Sequence, residues 1–186
     1  CPELTAWLNK LGTNSVSLIF ATGYLNSAPS SFGHTFLKIH SSQNDSGKEL
    51  LDYGINFAAR TADTSGALYA LYGLFGYFPG TYSMMPYHQM IKEYTHLEGR
   101  DIWEYELALT PEETRRMIFH LLELEGTYFD YYFANRNCSW AILRAIEVAR
   151  PDLDLTTHQD LEVIPLDSLK IIERTPGLVK KIKYRP

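Results

Sequence analysis

Apolar residues recur along this chain with two periods, and the changes between them mark its elements. Leu4, Trp7, Leu8 and Leu11 fall at helical spacing and predict a short helix that Gly12 ends. Residues 16–21 form a continuous apolar run of strand length, read as a buried strand. The loop YLNSAPSS (24–31), rich in Asn, Pro and Ser, leads to a second strand at 34–40. A polar turn, SSQNDSGK, and a further strand near 50–57 complete a hairpin candidate. The Gly- and aromatic-rich stretch 66–94 reads as short helices with an irregular connection, and 101–107 as a strand. Thr110-Pro111-Glu112-Glu113 is a helix start: Thr caps, Pro takes the first position, and Glu stands three after the cap. Met117, Ile118, Leu121 and Leu122 give that helix its apolar stripe, and Gly126 closes it. Another helix opens at Asn137-Cys138-Ser139 and runs through Val148, stopped by Pro151. Asp167 caps one more short helix, and GLVKKIKYRP reads as a short basic strand or arm. With no internal repeat, linker or low-complexity tract, residues 1–186 read as one α+β domain.

Composition narrows the partners. A chain of 186 residues buries roughly 70% of its unfolded surface and needs no metal or disulfide staple. Seventeen Lys and Arg against 22 Asp and Glu give a net charge of −5, which argues against nucleic acid. No apolar run approaches the ~20 residues of a membrane span, and no basic-then-apolar leader opens the sequence. Tyr69, Tyr72, Phe75, Tyr77, Phe78, Tyr82 and Tyr87 crowd one stretch, and Tyr128, Phe129, Tyr131, Tyr132 and Phe133 another. Such bunches are either core or a greasy lip beside a site that meets acyl chains. On the second reading, residues 68–90 form an apolar wall, and Lys180, Lys181, Lys183 and Arg185 add attraction to anionic lipid.

Of the two cysteines, Cys1 stands beside Pro2 and Cys138 lies deep in the chain. The polar NRN run gives way to AILRAIEVA at Cys138, which places its thiol at a helix N-terminus. The partial positive charge there lowers a thiol pKa and enriches the thiolate. A nucleophilic thiolate also needs a base, and among six histidines His34 stands out at a strand start behind Gly33. A turn centred on Asn44–Asp45 makes paired residues sum to 89 or 90, which puts His34 opposite Ile55 or Asn56. An Asn beside the ring would fix its tautomer, giving a Cys-His-Asn set, with Asp52 the charged rival nearer Leu37 or Lys38. The bland readings are a buried structural Cys and a strand-end His bonded to a loop. No phosphate loop, nucleophile elbow or HExxH helix is present, and the histidines lack metal-ligand spacing. Glu104 and Glu106 share a strand face, which suits solvent better than a pair of catalytic carboxylates.

The stretches SLIFATGYLNSAPSSFGHTFLKI, LLDYGINFAA, GLFGYFPGTYSMMPY, EYTHLEGRDIWEYELALTPEE and FDYYFANRNCSWAILRAIEVARP resemble the periplasmic domain of Lnb-type lipoprotein N-acyltransferases. The His-first, Cys-later order is also similar to circularly permuted papain-like enzymes of the NlpC type. The resemblance implies that fold, an antiparallel sheet with helices, and a thiol acyltransferase at the periplasmic side of the cell envelope. Cys138 then matches the nucleophile, His34 the base and Asn56 the third member. Tyr24, Asn26 and Ser27, with Asn137 and Ser139, are the candidates for oxyanion or substrate contacts. The implied partners are a phospholipid acyl donor, a diacylglyceryl lipoprotein acceptor and a membrane surface, with no cofactor or metal. A cell-wall cysteine peptidase or amidase would use the same Cys-His pair, and a catalytically silent lipid-binding module would use neither.

Overall fold

The computed structural model describes residues 13–23, 32–41, 51–60, 72–97, 99–157 and 164–186. In chain order it contains β1 (Thr13–Ala21), β2 (His34–Ser41), β3 (Tyr53–Ala59), β4 (Phe78–Pro86), α1 (Tyr87–Ile91) and a π-helical turn (Lys92–Leu97). There follow β5 (Ile102–Leu107), α2 (Pro111–Glu123), β6 (Phe129–Tyr131), α3 (Cys138–Ala149), α4 (Pro165–Arg174) and β7 (Val179–Arg185). The expected helix at 4–11 lies outside the described residues.

Every strand pairs antiparallel in one seven-stranded sheet of order β6-β4-β3-β2-β1-β5-β7. The α+β expectation holds in this antiparallel form. Because strand side chains alternate faces, Leu37 and Ile39 of β2 join the core beneath α2, α3 and α4, with Val16, Leu18, Ile118 and Ile142. Phe36 points the other way, into a smaller cluster with Ile19, Ala21, Ile102, Tyr87 and Met90. Thr110 and Glu113 make the reciprocal capping box read from the sequence. Asp167 does not cap α4: it sits three residues inside and reaches back to the Ile164 N–H, behind Pro165.

Besides the short strand β6 in the second aromatic bunch, two features differ from the sequence reading. The first is β4, a central-side strand within a stretch expected to be helical and irregular. Pro79 and Gly80 imitate a turn there, but the Pro79 carbonyl accepts from Arg60 N–H. Gly80 is needed because a Cβ would stand 2.5 Å from the Phe57 ring. The second is the hairpin register. β2 and β3 pair as Leu37 with Ile55 and Lys38 with Gly54, so partners sum to 92 and not 89 or 90.

Glu104 also departs from expectation, since it is buried rather than solvated. Lys38 Nζ lies 3.3 Å from Glu104 Oε2 and 3.5 Å from Asp52 Oδ2, all three side chains being almost sealed from water. The Tyr87 ring packs on the same ammonium at 4.4 Å. His40 stands between the two carboxylates, 3.6 Å from Asp52 and 3.4 Å from Glu104, and Ser17 bridges His40 and Glu104. Lys183, from β7, adds a contact of 3.3 Å to Glu104. Burial pushes the Glu104 carboxyl up, but Lys38, Lys183 and His40 outweigh it and hold it below the ordinary glutamate value.

Candidate active site

Each side chain of the site is placed by a local rule. Gly33, at φ +88°, brings the start of β2 against β1, where any Cβ would meet the Phe20 ring at 2.6 Å. His34 is therefore the first strand residue at the rim of the sheet. Asn137 caps α3: its Oδ1 accepts from the Ser139 and Trp140 N–H groups at 3.0 and 3.4 Å. Its Nδ2 donates to the Phe133 carbonyl at 3.0 Å, tying the helix start to the preceding aromatic segment. Cys138 is then the first helical residue, 3% exposed.

The folded chain brings Cys138, His34 and Asn56 together. His34 Nε2 lies 2.6 Å from Asn56 Oδ1. The ring also shares a hydrogen bond with the Cys138 side chain. In the observed register His34 and Asn56 are diagonal neighbours on one face of the sheet, a spacing that long side chains bridge. The His34 ring stacks over Phe36 and packs against Tyr94, each with a centroid separation of 6.1 Å, and the Arg100 guanidinium lies 5.1 Å from the Tyr94 centroid.

Burial pushes the Cys138 thiol up, yet the His34 ring beside it, with donors from Thr35, wins and brings it down to about 7. For His34 burial acts to lower the pKa and Arg100 opposes the proton, but the thiolate and Asn56 raise it above the ordinary histidine value. The pair therefore favours thiolate and imidazolium near neutrality. Alkylation of Cys138 by iodoacetamide, followed by mass spectrometry, should accelerate as pH rises through about 7 and then level off. In His34→Ala only the Thr35 donors still oppose the burial effect, so the rise should move well above 7. An unchanged midpoint in that variant would detach His34 from the thiol.

Thr35 was not apparent from the sequence. Its N–H and hydroxyl both donate to the Cys138 sulfur. The Ser139 hydroxyl lies 3.3 Å from the Thr35 Oγ1, so a short relay runs from Ser139 through Thr35 to the thiolate. A buried Thr in a strand reads as core, and no sequence pattern separates this one. Arg100 was missed for a similar reason, being one charge in a polar run. Of the contacts proposed for oxyanion or substrate, Asn137 and Ser139 hold the helix start and, through Thr35, adjoin the thiol. Tyr24, Asn26 and Ser27 lie outside the described residues. Asp52 belongs to the Lys38 cluster and not to the His34 ring. No described group of three or more His, Cys, Asp or Glu side chains is placed to hold a metal ion.

Residues 3–175 match the family model described as the Lnb N-terminal periplasmic domain. Searches of curated proteins and of solved structures found no match.

Proposed function

The chain belongs to the Lnb N-terminal periplasmic domain family, and on that premise we propose that it is a cysteine-dependent acyltransferase that moves an acyl chain from a phospholipid to a lipoprotein amine. The observation that carries this reading is the Cys138 thiol, lowered to about 7 beside a His34 ring that Asn56 orients. Family membership supports a periplasmic setting; no described helix is long and apolar enough to cross a membrane. The order of His34 and Asn56 on an antiparallel sheet, followed by Cys138 at a helix start, fits a permuted papain-like arrangement.

In the first half-reaction the Cys138 thiolate attacks an ester carbonyl of the donor. A carbon–sulfur bond forms, and the carbon–oxygen bond to the lysophospholipid breaks. The departing oxygen takes the proton from His34. In the second, the neutral α-amino group of a diacylglyceryl-cysteine attacks the thioester, the carbon–sulfur bond breaks, and His34 receives the amine proton as the thiolate is restored. Asn56 keeps the ring in the orientation both steps require. A thiol only 3% exposed limits the access of bulk water to the thioester. The direct test incubates the protein with phospholipid vesicles and reads the mass of the Cys138 peptide. An acyl adduct that hydroxylamine removes is expected; an unmodified Cys138 together with free fatty acid released elsewhere overturns the reading.

Membrane contact is assigned to one lip. Leu74, Phe75 and Tyr77 are 58%, 61% and 71% exposed, far more apolar surface than a short segment ordinarily shows water. Phe78, expected to share this wall, is instead buried against Tyr72 and Phe133. The lip lies close to the nucleophile: Gly73 packs on Phe133, whose carbonyl holds Asn137. The basic strand β7 cannot reinforce it, because β6 and β7 are the two edges of the sheet, six strand spacings or roughly 29 Å apart. Leu74→Ser with Phe75→Ser should weaken sedimentation with liposomes while leaving the Tm nearly unchanged, as both side chains are exposed. A large loss of Tm with undiminished sedimentation would show the lip to be core.

A further inference from the structure

The thioester reading requires somewhere for the acyl chain to lie, and a separate cavity offers a place. A pocket of about 230 Å³ opens along the helix that Cys138 begins. One wall is the α3 stripe of Trp140, Ala145 and Val148; the other is the aromatic floor of Phe57, Tyr82 and Phe129. The floor rings contact one another at centroid separations of 4.8, 5.9 and 6.1 Å. Tyr82 donates its hydroxyl to the Ala141 carbonyl at 2.9 Å, so the near end of the pocket lies within one helical turn of the thiol. From Cys138 to Val148 the helix rises roughly 15 Å. We infer that this pocket receives the hydrocarbon chain of the acyl donor once its carbonyl is on Cys138.

One further polar ring, His120, lines the pocket, but three observations favour a hydrocarbon over a polar ligand. The volume falls below the ~300–1,000 Å³ of sites for drug-sized ligands and suits one narrow chain. The Tyr82 hydroxyl is already committed to Ala141. Arg144, on the same helix, is bonded to Glu147 at 2.7 Å and lies 3.4 Å from Thr156 Oγ1, so its charge is matched from within the protein. The assignment rests on the acyltransferase reading, and its test separates the two.

Val148 and Leu124 line the pocket from half-buried positions, where a larger side chain can be accommodated without disturbing the sealed core. Val148→Phe and Leu124→Phe should therefore fold, as circular dichroism and Tm would establish. Loading of Cys138 is followed by mass spectrometry in the absence of any amine, with p-nitrophenyl palmitate and p-nitrophenyl butyrate as donors. Each methylene displaced from the pocket should slow palmitoyl loading about fourfold, while butyryl loading stays at the wild-type rate. Equal losses for both donors, or no loss for either, overturn the pocket. So does an effect confined to the later transfer to an amine, which would give the pocket to a chain of the acceptor. Failure of the wild-type protein to load even butyrate would instead overturn the acyltransferase reading. The pocket is then judged by binding alone: a brominated fatty acid should quench Trp140 fluorescence in Cys138→Ser, less in Cys138→Ser with Val148→Phe, and not in Trp140→Phe. Quenching indifferent to Val148→Phe overturns it.

Discussion

Cys138→Ser is expected to lower acyl transfer by on the order of 10⁴-fold or more, the scale at which removing a nucleophile silences a triad enzyme. A serine hydroxyl is nearly the same size as the thiol but far less acidic, and the field of His34 that brings Cys138 to about 7 cannot ionise it. The fold should be indifferent. Thr35 can donate to a hydroxyl as it does to the sulfur, and Asn137 goes on capping α3. The measurement pairs the rate of amide formation on a diacylglyceryl peptide with the Tm of the variant. Transfer at the wild-type rate would move the nucleophile elsewhere, whereas a collapsed Tm would make Cys138 a packing residue. His34→Ala should share the kinetic loss, because it removes both the acid of the first step and the counter-charge of the thiolate.

How much of this arrangement is written in the sequence depends on how local each determinant is. The nucleophile was legible because its determinants are adjacent: Asn137 caps, Cys138 follows, and an apolar helix begins. His34 was legible from Gly33 and the strand behind it. Asn56 was reached through a register two residues short of the real one. Strand faces have period two, so an even error in the pairing sum keeps Asn56 on the same face as His34, and the diagonal contact remains. An odd error would have turned the side chain to the helices. Thr35 and Arg100 were hidden because their roles exist only where β2, α3 and the segment before β5 converge. The strand β4 was hidden by Pro79 and Gly80, whose turn-like chemistry is overridden by sheet neighbours on both sides. Glu104 was misread for the opposite reason. A charged residue on a strand signals solvent unless a partner is known, and its partner Lys38 lies 66 positions away in sequence.

That partnership predicts the largest change in stability. Lys38→Ala should destabilise the protein by about 3–5 kcal/mol, since it leaves Asp52 and Glu104 buried without the ammonium between them. For a chain of this length the loss corresponds to a fall in Tm of roughly 10 °C. Lys38→Met with Asp52→Asn and Glu104→Gln should recover most of it, because the cost lies in unmatched charge and not in lost volume. The pH dependence distinguishes this from simple cavity formation. In the wild type Glu104 is held below its ordinary 4.5, so its contribution is present above that pH and lost as pH falls through the folded value. Without Lys38 the burial effect on Glu104 gains weight, the folded state holds its proton more tightly, and acid no longer penalises folding to the same extent. The Tm difference between wild type and Lys38→Ala should therefore narrow as pH drops below about 4.5. A difference that stays constant across that range would assign the loss to packing against Tyr87 rather than to charge.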